Sequence, residues 1–181
     1  AGDEPLARAR ELRLTGLAHH SAGQPVRAAR TLREALRQLP PLDAPADPET
    51  ESVRVACLLT LALTEFATSG LDAALGVLAD ARRLAADDPE LVARYRCQRG
   101  HILGRSGDFA TAAAELQVVV DEPGWFTSLE KSTTHLTLGM ISFELGRADD
   151  AARHFSAASG LAREAGDVRH EFMAEHNRGY A

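Results

Sequence analysis

Aromatic residues are scarce, with Phe, Tyr and Trp making up only 5% of the 181 residues. β-branched residues are also sparse, and no stretch alternates apolar and polar residues with period two. Strands draw on both features, so a β-rich fold is excluded. Cysteine is limited to Cys57 and Cys97, forty residues apart, which is neither a disulfide framework nor a zinc motif. Both are expected to be small buried thiols. Basic excess is missing too: the net charge is −6. Broad nucleic-acid binding needs a basic surface to displace counterions, and adsorption to anionic membranes needs the same, so neither partner is expected. No uninterrupted apolar run approaches the ~18 residues of a membrane span. The opening Ala1-Gly2-Asp3-Glu4-Pro5 lacks a basic segment followed by an apolar one, so no signal peptide is visible and a cytoplasmic location is expected.

The apolar content is 45% and is dominated by Ala and Leu, two of the strongest helix formers. The expected class is all-α. Four Gly-turn stretches recur: Gly23-Gln24-Pro25-Val26-Arg27-Ala28-Ala29, Ser69-Gly70-Leu71-Asp72-Ala73-Ala74-Leu75, Gly107-Asp108-Phe109-Ala110-Thr111-Ala112-Ala113 and Gly146-Arg147-Ala148-Asp149-Asp150-Ala151-Ala152. Three carry another Gly seven residues upstream, at Gly16, Gly100 and Gly139, while the second has Ala62 or Leu63 there. A glycine inside a helix costs about 1 kcal/mol against Ala, so a recurrent one points to close helix packing. Its expected partner is the Ala of the following helix, Ala28, Ala112 or Ala151. Four residues beyond come Leu32, Leu78, Leu116 and Phe155, and three further Ala35, Ala81, Val119 and Ala158. These spacings hold one helical face.

This is the tetratricopeptide pattern, whose usual period is ~34 residues. The fold expected is a single right-handed superhelix of antiparallel helix pairs over 1–181. Its repeats lie near 9–42, 55–88, 93–125 and 132–165, with a partial one at 172–181 and a linker at 40–48. The pattern departs from the usual one in lacking the aromatic near each repeat start, and Gly100 to Gly139 stretches to 39 residues. Asp47-Pro48-Glu49 and Asp88-Pro89-Glu90 each give an Asp cap and a Pro at the first helical position. The linker's three prolines, Pro40, Pro41 and Pro45, exclude helix. Nine helices are predicted, at about 5–22, 25–39, 49–69, 71–86, 89–106, 108–121, 126–145, 148–165 and 168–180. The segment His176-Asn177-Arg178-Gly179-Tyr180-Ala181 reads as the middle of a fifth first-helix, so the chain is expected to be a piece of something longer, or to end on this helix as a cap.

Arg8-Ala9-Arg10-Glu11-Leu12, His176-Asn177-Arg178-Gly179-Tyr180 and the ~40-residue spacing resemble actinobacterial tetratricopeptide arrays that precede a caspase-like peptidase domain of the CHAT family. The resemblance covers nearly the whole chain as repeat type. It implies a regulatory or substrate-sensing module. The peptidase's own His and Cys dyad has no recognisable motif here.

Catalytic and metal chemistry find little support in the pattern. Of the seven histidines (His19, His20, His101, His135, His154, His170 and His176), none lies in a zinc signature. His170-Glu171 begins like a metalloprotease helix, but His176 follows six residues on instead of four. Cys97 and His101 share a helical face, yet no third residue orients them. Neither GxGxxG nor GxxxxGK occurs. Trp125 and Phe126 read as a hydrophobic wedge. No enzyme activity, cofactor or metal site is expected.

Binding residues follow from the repeat register, which places first helices on the concave side. The candidates are Arg10, Arg13, Leu17 and His20 in repeat one, Arg94, Gln98, His101 and Arg105 in repeat three, Thr137 and Met140 in repeat four, and Asn177 in the last helix. The arginines suit an acidic or C-terminal peptide, since Arg pairs bidentately with carboxylates. The Lys/Asn carboxylate clamp of chaperone-binding tetratricopeptide domains is not matched, because Leu17 and His101 stand where Asn belongs. The function expected is a protein- or peptide-binding scaffold. The alternative is a self-associating scaffold whose C-terminal helix forms a homodimer interface.

Overall fold

The computed structural model describes residues 3–122 and 124–181. Among the described residues there are nine helices: α1 (Asp3–Ser21), α2 (Pro25–Arg37), α3 (Pro48–Ser69), α4 (Leu71–Ala85), α5 (Pro89–Ser106), α6 (Phe109–Asp121), α7 (Ser128–Glu144), α8 (Ala148–Ala165) and α9 (Val168–Arg178). Local chemistry explains most of the boundaries. The Asp47 carboxylate accepts from the Thr50 N–H at 2.9 Å, and Asp88 accepts from the Leu91 N–H at 3.0 Å. Pro48 and Pro89 then occupy first-turn positions where no amide donor is needed. Bonding to Thr50 also holds the Asp47 carboxyl below its ordinary range.

α7 starts two residues later than the sequence pattern predicts. Thr127 and Glu130 form a reciprocal capping box: the Thr127 N–H donates to Glu130 at 2.8 Å and the Glu130 N–H donates to Thr127 Oγ1 at 3.2 Å. That box fixes the first turn and leaves Phe126 outside the helix, buried at 7% exposure. The α7–α8 turn is made by Gly146 with φ of +70°, the left-handed backbone that favours glycine.

The chain divides into two compact units, Ala1–Gln98 and Arg99–Ala181, the division falling inside α5. In the first unit α1 packs on α2, α3 on α4, and α3 also lies against α1 and α2. One core cluster joins Ala9, Ala35, Leu39, Val53 and Cys57, and another joins Ala29, Leu32 and Leu61. In the second unit α7 packs on α8, α8 on α9 and α6 on α7. Its core includes Leu136, Ala151, Phe155, Ala158 and Ala174.

The recurrent glycines do mark close helix packing, but against a different residue from the one expected. A Cβ at Gly16 would stand 2.7 Å from Leu32 Cγ, one at Gly100 2.7 Å from Leu116 Cγ, and one at Gly139 2.5 Å from Phe155 Cε1. The partner is therefore the large residue one turn beyond the alanine. Side chains on a helix lean back toward its N-terminus, so Leu32 covers the level at which Ala28 sits. At Gly100 the alanine's backbone also comes close, with the Ala112 carbonyl at 3.2 Å.

α3 is long and apolar enough to cross a membrane by length and composition alone. It also carries Arg54 at 0% exposure and Glu65, which is ion-paired to Arg33. Its flanks are taken up by α1, α2 and α4, as befits the central helix of a packed unit. Arg54 has a specific task. Its guanidinium donates to the carbonyls of Pro40 and Pro41, each at 2.8 Å, to Ala44 at 3.0 Å and to Glu51 at 2.9 Å. A proline-rich segment lacks amide donors with which to satisfy its neighbours' carbonyls. The Ala44 N–H donates to the Pro41 carbonyl at 2.9 Å, and one buried arginine supplies the other donors and holds the linker against α3.

Candidate functional site

The expected binding residues fall into two sets. Arg10, Arg13, Leu17, His20, Arg94 and Gln98 belong to the first unit. His101, Arg105, Thr137, Met140 and Asn177 belong to the second.

In the first unit much of the anticipated positive charge is already engaged. Arg10 on α1 pairs with Glu49 on α3, and Arg94 pairs with Glu90 one turn away at 2.9 Å. The His20 ring lies 3.4 Å from the Thr64 hydroxyl. Leu17 is 38% exposed and Gln98 is partly exposed. Arg13 is partly buried beside Cys57 and has no carboxylate in ion-pair contact among the described residues. Cys57 itself is buried as expected, and burial pushes its thiol up to about 11, so it is inert at neutral pH. Cys97 is only partly buried.

In the second unit the structure brings His101 and Thr137 together. His101 Nδ1 lies 3.0 Å from the Thr137 hydroxyl. Burial, and then the nearby Arg105, press the His101 ring down to about 4, so it is neutral at pH 7. These two residues satisfy each other, while Arg105 stays exposed.

Met140 and Asn177 meet in a different place, a hollow of about 390 Å³ lined by Met140, Phe143, Glu144, Phe155, Asn177 and Tyr180. Each helix contributes by register. Met140, Phe143 and Glu144 stand three and four residues apart, on one face of α7. Asn177 lies in the last turn of α9 and Tyr180 just past its end, three residues on. Phe155 forms the floor, only 2% exposed, and is the same ring that Gly139 admits so closely. The rim is open and apolar: Met140 is 56% exposed, Phe143 47% and Tyr180 70%. Among the described lining residues Glu144 is the one carboxylate, and none is a cation. Along α9 and just past its end, Phe172, His176 and Tyr180 form a ladder of rings, with centroids 6.0 Å and then 5.0 Å apart.

The sequence pattern alone did not pick out Phe143, Glu144 or Phe155 as lining residues. Phe143 follows Met140 by three residues, which is a signal for the first two. Phe155 falls on the repeated apolar face of its helix, and it is core as well as floor.

No protein-family profile matches the chain, and no curated protein sequence does either. Solved structures do match. One, named "MamA AMB-1 C2221", has a TM-score of 0.52 at 18% identity, with 96% of this chain and 98% of that chain covered. Another, named "MamA MSR-1 C2", has a TM-score of 0.51 at 18% identity, with 96% of this chain and 98% of that chain covered. At this identity the likeness establishes the fold: all-α, built of tetratricopeptide-type antiparallel helix pairs.

Proposed function

We propose that the chain is a non-catalytic binding module that holds a protein or peptide, taking an apolar side chain of its partner into the hollow between α7 and α9. The observation that carries this is the hollow itself. It is of ligand-pocket size, has a buried aromatic floor, and is rimmed by exposed Met140, Phe143 and Tyr180. Exposed apolar residues gathered around one concavity are typical of interaction sites, and tetratricopeptide-type arrays present such surfaces as a class. Charge complementarity sets the partner's chemistry here: with Glu144 on the rim and no lining cation, the apolar anchor should be flanked by a basic residue. An acidic element suits the first unit instead, where Arg13 has no carboxylate in ion-pair contact among the described residues. The wording of the repeats supports a regulatory role within a larger protein, such as a CHAT-family peptidase. A cytoplasmic setting fits two cysteines that form no disulfide.

The test is selection of a random-peptide phage library on the full chain, followed by fluorescence polarisation with the selected peptides. Expected are peptides with a large apolar residue next to Lys or Arg, weakened about tenfold or more by Met140→Glu. Glu144→Lys should shift selection toward acidic flanks. Peptides that bind Met140→Glu as well as the parent protein would overturn this assignment.

A second reading is favoured by α9, which leaves Val168 76%, Phe172 70% and Met173 39% exposed. On that reading α9 pairs with a second copy of the chain, and the module is a self-associating scaffold.

A further inference from the structure

His135 on α7 and His154 on α8 are nineteen residues apart in sequence, yet their Nδ1 atoms face each other at 3.0 Å. Their ring centroids are 5.2 Å apart and the planes are inclined by 40°. Both rings are partly buried between the two helices. Two neutral imidazoles can approach in this way only if one carries its proton on Nδ1 and donates it to the bare Nδ1 of the other. The contact thus has one proton lying between two nitrogen lone pairs.

We propose that His135 and His154 form a two-histidine site for a late first-row divalent cation, Zn²⁺ being the natural case, held between their Nδ1 atoms. Imidazole nitrogen is a favoured ligand for such ions, at ~2.0–2.1 Å from zinc. Two such ligands at a tetrahedral angle stand roughly 3.3 Å apart, so a small outward rotation of the rings admits the ion. The exchange balances without net proton release. The ion takes both Nδ1 lone pairs, and the proton displaced from the donor ring moves through solvent to that ring's own Nε2. Water fills the remaining positions. Among the described residues no third His, Cys, Asp or Glu completes a ready-made cluster.

The surroundings set the strength. Asp150, one turn before His154 on α8, favours a cation, although it now accepts from Arg153. Arg153 beside His154 and Lys131 one turn before His135 oppose it. Protons compete weakly. Burial first, then His154 and Lys131, hold His135 down to about 4, and burial also lowers His154.

The experiment is titration of the full chain with Zn²⁺ by calorimetry, together with long-range ¹H–¹⁵N spectra of the histidine rings. Expected are one ion per chain, zinc-dependent shifts at the Nδ1 atoms of both rings, and an enthalpy at pH 7 that does not vary with the buffer's ionisation heat. His135→Asn and His154→Asn should each weaken binding about tenfold or more, with helical content unchanged by circular dichroism. His176→Asn, on exposed α9, should leave binding as it was. If zinc leaves both Nδ1 signals unmoved, or if His154→Asn binds as tightly as the parent protein, the pair only shares a proton and the proposal fails. The ring spectra report on these two nitrogens directly, so a variant that loses structure does not blur the result.

Discussion

At the residue scale, glycine separates into two physical roles inside helices. Gly139 lies against the ring of Phe155, whereas Gly76 on α4 and Gly160 on α8 face open space. An added methyl at Gly139 must displace a rigid, buried ring. Gly139→Ala is therefore expected to lower stability by about 1–3 kcal/mol in urea unfolding, more than Gly16→Ala, where the nearest atoms belong to a leucine side chain that can shift. Gly76→Ala and Gly160→Ala should raise it by roughly 0.5–1 kcal/mol through helix propensity and a less disordered unfolded chain. His101 acts at the same scale through pH. Its unfolded ring takes a proton near 6.5, whereas the folded ring, buried against Thr137, resists until about 4. Between those values the unfolded state binds more protons, so stability falls as pH drops from about 6.5 toward 4. His135 adds to the same slope. His101→Asn should flatten the fall of the thermal midpoint over this window. An unchanged slope would show that the ring titrates normally in the folded chain.

Helix ends and the linker belong to the element scale. The Thr127–Glu130 box defines where α7 begins, and Thr127→Ala is expected to cost about 1 kcal/mol in chemical unfolding. Arg54 matters more. Removing it strands the carbonyls of Pro40 and Ala44, takes from Pro41 one of its two donors, and leaves Glu51 without its cation. Arg54→Ala should cost on the order of 3–5 kcal/mol and open residues 40–46 to proteolysis. Arg54→Lys should recover only part of the loss, because a single ammonium cannot span three carbonyls as a planar fork does. If Arg54→Ala is cleaved no faster in that segment than the parent protein, the arginine does not hold the linker.

At the scale of the whole molecule, the question is whether α9 is covered by a second copy. The binding-module reading expects light scattering to return the monomer mass of 19.4 kDa over a wide concentration range, with Phe172→Ser leaving it unchanged. A dimer that Phe172→Ser dissociates would make α9 an interface and favour the self-associating scaffold.

Helices, their order and most of their ends were legible in the sequence because they depend on local chemistry. The 3.6-residue periodicity, the Asp-Pro starts and the Gly turns all act within one or two turns of chain, and all nine helix starts among the described residues fall within two residues of the predicted positions, α7 being delayed by its capping box. The paired-helix fold follows from the same repeat of glycine and large apolar residues. Met140 and Asn177 were nameable as surface candidates because register alone points them away from the core. Contacts between helices distant in sequence carried no such signal. Arg54 could not be read as a linker clamp, since its carbonyl partners lie ten to fourteen residues back around a turn. The neutralisation of Arg10 by Glu49, the pairing of His101 with Thr137 and the meeting of His135 with His154 likewise depend on which helix faces which. Local propensity determines what each segment is, and only packing decides which side chains from separate segments share a few ångströms of space.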